Sequence, residues 1–228
     1  MFNLFKKEPK VTPPSPLRDT FFGDFSLESL AAPTDGNPSF TPLFAAAKNA
    51  MDNGNTSLAA ENLLKVTELP GLESRIYLAA WFHLGQLGVA PPPETAQKVL
   101  GVVLEIWMDK GLDLLAAYED GSARYVNFTH AAIVWDAPGA DTVIEERLRQ
   151  LLAVGQAVAP RIGPWEGKGR RPEPPPYGQI RLNMLTPSGV HFGQGEFAAL
   201  SGDPMGAALI NAGTSLMQTL TERHHTAR

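Results

Sequence analysis

The sequence predicts an α+β protein, in which a cluster of helices precedes an antiparallel sheet of about six strands. Three observations support this class. Apolar residues recur at helical spacing between Thr41 and Leu87, they alternate with polar residues between Gly101 and Asp136, and glycine-containing turns divide the alternating region. Strands joined by short turns pair antiparallel, so the helices can cover only the faces of their sheet.

Residues 1–40 stand apart by composition, because proline is frequent there and helical periodicity is missing. Proline removes a backbone donor and blocks helix interiors, so we expect an extended leader that is mobile at its beginning. Its three clustered aromatic residues, Phe21, Phe22 and Phe25, are expected to dock on the folded body.

Residues 41–90 are expected to form a helical subdomain. Threonine caps, a proline at a first helical position and helix-ending glycines predict three helices, from Thr41 to Gly54, from Thr56 to Pro70 and from Glu73 to Leu87. The motif Trp81-x-x-Leu84-Gly85 resembles the opening of a tetratricopeptide repeat. One and a half such units are too few for a solenoid, so we expect tetratricopeptide-like packing in a small cluster.

Strand signals dominate from residue 101 to residue 136. Apolar positions alternate in Val102–Met108, with Glu105 on the opposite face, and β-branched and aromatic residues are frequent. Turns at Lys110-Gly111 and Asp120-Gly121 predict a meander of four strands, near 102–109, 112–119, 122–128 and 132–136. A helix over the first of these segments is the alternative, because its leucines and valines also fit a helical pattern.

The remainder of a domain expected at 91–228 alternates helix, loop, hairpin and helix. Asp141 is a natural helix cap, and apolar residues keep helical spacing from there to Val158. The segment 160–178 is rich in proline and has no periodicity, which predicts a long loop. A hairpin and a last helix follow, with strands near 179–185 and 190–195 and a helix that begins at Asp203-Pro204.

Composition and motifs argue against several classes of function. The chain has no cysteine, and it contains no P-loop, no G-x-S-x-G elbow and no H-E-x-x-H motif. A net charge of −5 and the lack of a basic face argue against nucleic acid as a partner. We expect no cofactor and no metal, leave enzymatic activity open while favouring its absence, and expect a cytoplasmic protein without a transmembrane segment.

The predicted meander carries the candidate ligand-binding residues. If Asp120-Gly121 is a two-residue turn, small alanines lie opposite Tyr125 and leave space for its ring. Tyr118 then shares a face with Tyr125, while Asp113 and Arg124 share the other face and can form a diagonal ion pair. A pocket between sheet and helix is one hypothesis, with ordinary core packing as the alternative. The candidates are Tyr118, Arg124, Tyr125, Asn127, His130, Trp135 and His191.

Three functions follow as hypotheses. The first is non-enzymatic binding of a protein partner, or self-association, through the leader, the helical subdomain and the loop 160–178. That loop is expected to expose Trp165, Lys168, Arg170 and Arg171. The second is binding or sensing of a small molecule in the pocket. The third is an unrecognised hydrolase with His130 or His191 as general base, although the spacing fixes no nucleophile beside either.

Two segments of the predicted sheet resemble bacterial proteins of unknown function. They read GLDLLAAYEDGSARYVN, residues 111–127, and MLTPSGVHFGQG, residues 184–195. The resemblance extends over the sheet from about Gly101 to Gly195. It implies no activity, substrate or catalytic residue, and it therefore adds nothing to the three functional hypotheses.

Overall fold

The computed structural model confirms the α+β class and describes residues 16–33, 38–108, 111–167 and 170–226. Its helices are α1 (Pro16–Phe22), α2 (Leu27–Ala31), α3 (Thr41–Asp52), α4 (Thr56–Thr67), α5 (Ser74–Gln86), α6 (Pro93–Ala96), α7 (Thr142–Val158), α8 (Phe197–Gly202) and α9 (Pro204–Thr226). Its strands are β1 (Gly101–Met108), β2 (Gly111–Tyr118), β3 (Ala123–Val126), β4 (Ala132–Trp135), β5 (Gln179–Thr186) and β6 (Gly189–Glu196). Within those ranges, no helix combines the length and the apolar character that crossing a membrane requires.

The strands form a sheet in the order β4-β3-β2-β1-β5-β6, and all neighbours are antiparallel. One side of the sheet, which carries Val102 and Leu104, packs against α7 and α9, and we call it the C-terminal face. The other side, which carries Val103 and Ala116, packs against α1 and α5, and we call it the N-terminal face. Helices therefore cover both faces of the central strands.

β1 is a strand, and the alternative of a helix over 102–108 is wrong. The residues from Gly101 to Ile106 pair with β2 on one side and with β5 on the other. Val102, Val103 and Leu104 are all buried because both faces of this strand are covered. A strand buried on both faces needs consecutive apolar residues, which is why the same residues also fit a helical pattern.

The turn between β2 and β3 has three residues rather than two, which corrects the predicted register. The Gly121 N–H donates to the Tyr118 carbonyl (3.1 Å), and the Tyr118 N–H donates to the Ser122 carbonyl (3.0 Å). With a φ of 85° at Gly121, this is a type I turn followed by a left-handed glycine bulge. The Asp120 carboxylate supports the turn by accepting from the N–H groups of Ser122 (2.9 Å) and Ser74 (2.7 Å).

The corrected register places Tyr118 and Tyr125 on opposite faces of the sheet, whereas the sequence predicted one shared face. A shift of one residue moves every side chain of a strand to the other face. A leucine rather than an alanine lies opposite Tyr125 on the C-terminal face. Asp113 shares that face, so the predicted ion pair between Asp113 and Arg124 is wrong. Arg124 lies on the N-terminal face and pairs with Asp136 (3.4 Å).

The predicted leader is helical, not extended, at α1 and α2. Phe21 and Phe22 are buried against the N-terminal face of the sheet, and Phe25 is partly buried against the other N-terminal helices. The expected docking of these three aromatic residues is confirmed. Residues 1–15 and 34–37 of the predicted leader lie outside the described part of the chain.

The helices α2 to α5 enclose a core of their own. Phe44, Leu63 and Leu84 are completely buried there, together with alanines that allow the helices to approach closely. The three helices predicted between residues 41 and 90 are confirmed, with ends close to the predicted ones. Tetratricopeptide-like packing of these helices stays a prediction.

Candidate functional site

A cavity of about 640 Å³ lies between α5 and the tip of the β5–β6 hairpin, and we call it the large cavity. Four aromatic side chains line it: Phe22 of α1, Trp81 and Phe82 of α5, and Trp165 of the loop before β5. Its polar lining residues are Asp24, Gln86, Arg170, Thr186 and Ser188. Small-molecule sites in proteins have this size and this mostly apolar lining.

Segments that are distant in sequence build the walls of the large cavity. The loop is attached to β6 by the Trp165 N–H, which donates to the Val190 carbonyl (2.7 Å), and by the pairing of Pro164 with His191. On α5, Gly85 faces open space, because an added Cβ would meet no atom within 4 Å. The cavity therefore exists only once the loop, the hairpin and α5 have come together.

Charged residues close the cavity where the loop 160–178 meets residues 16–25, which we call the N-terminal segment. Asp24 binds Arg170 (3.0 Å) and Arg171, and Arg171 also binds Asp19. The Arg170 guanidinium lies 4.0 Å from the centre of the Phe82 ring, which is a cation–π contact. Burial lowers the pKa of Arg170 to about 10, whereas burial raises the pKa of Asp24 to about 6 against the opposing charge of Arg170. Both groups are mostly charged at pH 7, so the pairs hold the loop to α1.

Two buried N–H donors belong to the lining residues and have no hydrogen-bond partner. The indole nitrogens of Trp81 and Trp165 are shielded from solvent, and no acceptor among the described residues reaches them. An unpaired buried donor costs about 1–3 kcal/mol. Because neither nitrogen is accessible, the two indoles belong to the packed wall of the cavity.

A polar cluster on the N-terminal face anchors α1 to the sheet. Glu105 of β1 is completely buried, and its carboxylate binds the Arg18 guanidinium through both oxygens. The Asn183 amide donates to the same carboxylate (3.2 Å), and the Arg181 guanidinium lies 3.7 Å from it. These partners enclose Glu105, so the cluster is an anchor for α1 rather than a site open to a substrate.

A second, small cavity of about 330 Å³ lies on the C-terminal face between the sheet and α9. Its lining is mostly apolar and comprises Leu104, Ile106, Asp113, Leu115, Tyr125, Phe197, Ile210, Gly213, Thr214 and Met217. The Tyr125 hydroxyl donates to Asp113 Oδ2 (2.9 Å). Burial, together with that hydrogen bond, raises the pKa of Tyr125 to about 12, so the hydroxyl is protonated at neutral pH.

The predicted pocket residues do not come together. Tyr118 is buried on the N-terminal face, where its hydroxyl donates to the Phe21 carbonyl (2.7 Å) and burial raises its pKa. Tyr125 and Trp135 lie on the C-terminal face near one edge of the sheet, while His191 lies in β6 at the other edge. At roughly 4.8 Å per strand, β3 and β6 are about 19 Å apart. Of this set, Tyr125 lines the small cavity.

Asn127 and His130 belong to the turn between β3 and β4. Asn127 Oδ1 accepts from the N–H groups of Thr129 (3.0 Å) and Ala131 (3.0 Å). His130 is exposed and has a φ of 64°, and its N–H donates to the Asn127 carbonyl (2.9 Å). Neither side chain lines the large or the small cavity. Their contacts explain the shape of the turn.

His191 is buried and ties β6 to the loop. Its Nδ1 lies 2.7 Å from the Ile162 carbonyl, while Nε2 is buried and no partner among the described residues reaches it. A carbonyl oxygen only accepts, so Nδ1 donates this hydrogen bond. Use of His191 or His130 as the base of a hydrolase stays a prediction.

The loop 160–178 packs against the N-terminal segment, and its arginines are less exposed than predicted. The side chains of Arg170 and Arg171 retain 15% and 10% of their exposure because both form ion pairs within the chain. Trp165 is partly buried as a lining residue. Lys168 lies outside the described residues. Binding of a protein partner, or self-association, through this loop stays a prediction.

Sequence reasoning missed most residues of the large cavity. Helical spacing identified Phe82 as an apolar position of α5, but it cannot show where a gap remains between two elements. The charged residues of two segments contained one signal of this site. The leader carries Asp19 and Asp24, the loop carries Arg170 and Arg171, and opposite charges in two proline-rich segments indicate that the segments meet.

No group of three or more histidine, aspartate or glutamate side chains in the described ranges is placed to hold a metal ion. Comparison with known protein families, with curated proteins and with solved structures finds no match. The two cavities are the features from which we infer a function.

Proposed function

We propose that this chain is a non-enzymatic binding protein whose ligand is a small, mostly apolar molecule held in the large cavity. One observation carries the proposal: four aromatic side chains from α1, α5 and the loop line a cavity of about 640 Å³. Sites for small molecules commonly enclose roughly 300–1,000 Å³ and are lined by apolar and aromatic groups with a few polar ones. The size and lining of the cavity agree with that pattern.

The lining also indicates the chemistry of the ligand. Aromatic walls favour a flat molecule, because stacked and edge-to-face contacts between rings are stabilising. Gln86 lines the cavity and its side-chain amide can donate, which favours a ligand with a hydrogen-bond acceptor. Arg170 and Asp24 neutralise each other, so the ligand needs no net charge. A neutral aromatic molecule with a carbonyl group fits these requirements.

Prodan, a neutral naphthyl ketone whose emission shifts to the blue in apolar surroundings, tests the proposal. Titration of the full chain should give a saturable blue shift.

Gly85→Phe should weaken binding by about tenfold or more, or about 1.4 kcal/mol, because the new ring fills open space in the cavity. Gly202→Phe in α8 is the matched control, since an added Cβ there also meets no atom within 4 Å. It should bind prodan like the parent chain.

Energy transfer from tryptophan to prodan provides a second measurement. Trp165→Phe should reduce the transfer, whereas Trp107→Phe, whose ring lies against Tyr177 outside the cavity, should leave it nearly unchanged. Cooperative urea unfolding shows that each variant is folded. The absence of saturable binding, or equal binding by Gly85→Phe and the parent chain, would contradict the proposal.

A further inference from the structure

The small cavity is independent of the large one, because it lies on the opposite face of the sheet. Apolar side chains of β1, β2 and α9 form most of its wall. Gly213 allows α9 to approach the sheet here, since a side chain at that position would collide with Leu104. Phe197 lines the cavity and is 48% exposed, so it marks the opening to solvent.

One carboxylate faces this apolar space with acceptor positions to spare. Asp113 accepts from the Tyr125 hydroxyl (2.9 Å) through Oδ2 and from the Phe128 N–H (2.8 Å) through Oδ1. A carboxylate has about four acceptor positions, so about two remain. Among the described residues, no lysine, arginine or histidine forms an ion pair with Asp113.

A partly buried carboxylate beside an apolar wall is stabilised most by a cation that brings its own N–H donors. The aromatic rings of Tyr125 and Phe197 line the same cavity, and aromatic rings attract cations. The protonated Tyr125 hydroxyl orients Asp113 and adds no competing negative charge. Carboxylate, rings and apolar wall together select for an organic cation.

We propose that the small cavity binds a primary ammonium group attached to a short aromatic or apolar body. The ammonium donates to the remaining acceptor positions of Asp113, and the body of the ligand packs against Ile106, Leu115 and Met217. Met217 is unbranched and adapts to ligands of different shape. This site does not rest on the function proposed for the large cavity.

Three probes of similar shape and different charge test this inference on the full chain. They are 2-phenylethylamine, 2-phenylethanol and phenylacetate, each titrated by calorimetry at neutral pH. We expect the amine to bind about tenfold more tightly than the alcohol, a difference of about 1.4 kcal/mol, and phenylacetate to bind most weakly. Asp113→Asn should abolish the preference for the amine. Asp136→Asn, a control carboxylate outside the cavity, should retain it.

Equal affinity for the amine and the alcohol would overturn the inference, as would tighter binding of phenylacetate or the failure of all three probes to bind. The comparison of probes needs no variant, so it decides the question even if Asp113→Asn does not fold. Gly85→Phe should leave binding of the amine unchanged. Because Gly85 lines only the large cavity, unchanged binding of the amine in this variant shows that the amine occupies the small cavity.

Discussion

At the scale of single residues, Glu105 shows how this fold tolerates a charge in its interior. The residue lies in the central strand β1 with no exposure to solvent, and Arg18 and Asn183 bind its carboxylate. A buried charge is tolerated only when it is paired and hydrogen-bonded, because removal from water costs several kcal/mol. The pair with Arg18 consequently gives α1 one defined position on the sheet.

Glu105→Gln removes this charge and leaves two buried guanidinium groups, those of Arg18 and Arg181, without their counter-ion. We expect the free energy of unfolding, measured by urea denaturation, to fall by about 3–5 kcal/mol. Glu119→Gln is the control, because its pair with Lys98 is half-exposed and its loss should cost less than about 1 kcal/mol. If the free energy of unfolding fell by the same small amount in both variants, the ion pair of Glu105 would not contribute to stability.

At the scale of elements, the turn between β2 and β3 decides which residues meet. Its left-handed Gly121 adds one residue to the turn and thereby places Tyr125 on the C-terminal face beside Asp113. With the two-residue turn that the sequence predicted, Tyr125 would lie on the N-terminal face. The hydrogen bond between Tyr125 and Asp113 in the small cavity therefore depends on the left-handed conformation of Gly121.

Gly121→Ala tests this dependence. An alanine with positive φ is strained, and its Cβ would lie 2.9 Å from Pro138 Cβ, so we expect the free energy of unfolding to fall by about 1–3 kcal/mol. Thermal unfolding followed by circular dichroism measures the loss. Gly163→Ala should change stability by less than about 1 kcal/mol, because its Cβ meets no atom within 4 Å. An unchanged melting temperature for Gly121→Ala would show that the turn adapts.

At the scale of the whole molecule, the N-terminal segment joins the loop 160–178 to the sheet. α1 packs on the N-terminal face through Phe21 and Phe22, while Asp19 and Asp24 bind the two arginines of the loop. The large cavity has walls from all of these parts. Its shape is therefore coupled to the docking of α1.

Replacing both Arg170 and Arg171 by alanine should loosen this docking locally. We expect amide hydrogen exchange in residues 19–24 to become about tenfold faster, equivalent to about 1.4 kcal/mol, while the amides of β1 and β2 keep their protection. Arg223→Ala, which breaks a half-exposed pair with Asp141, is the control and should leave residues 19–24 unaffected. Faster exchange across the whole chain would point to general destabilisation instead.

The extent of correct prediction differs between fold and site. Most strand and helix limits followed from local signals, such as the Asp141 side chain that caps α7 by accepting from the Val143 N–H (2.9 Å). Among the candidate ligand-binding residues, Tyr125 lines the small cavity, and Trp165 and Arg170 of the predicted interaction loop line the large one. Asp113, however, was predicted as the partner of Arg124. The difference came from one residue of register, which turn composition alone does not set.

By itself, the sequence determined the type and order of the elements from α3 to α9 apart from the short helices α6 and α8, because periodicity, caps and turn residues act over a few neighbouring positions. It did not predict α1 and α2. The tertiary structure alone decided that α1 covers the second face of the sheet, that Arg18 neutralises Glu105, and where gaps remain between the elements. Those outcomes depend on contacts between residues that are far apart in the chain, for which no local pattern exists. The physical reason is that a cavity is the space left after packing, and packing is a property of the whole fold.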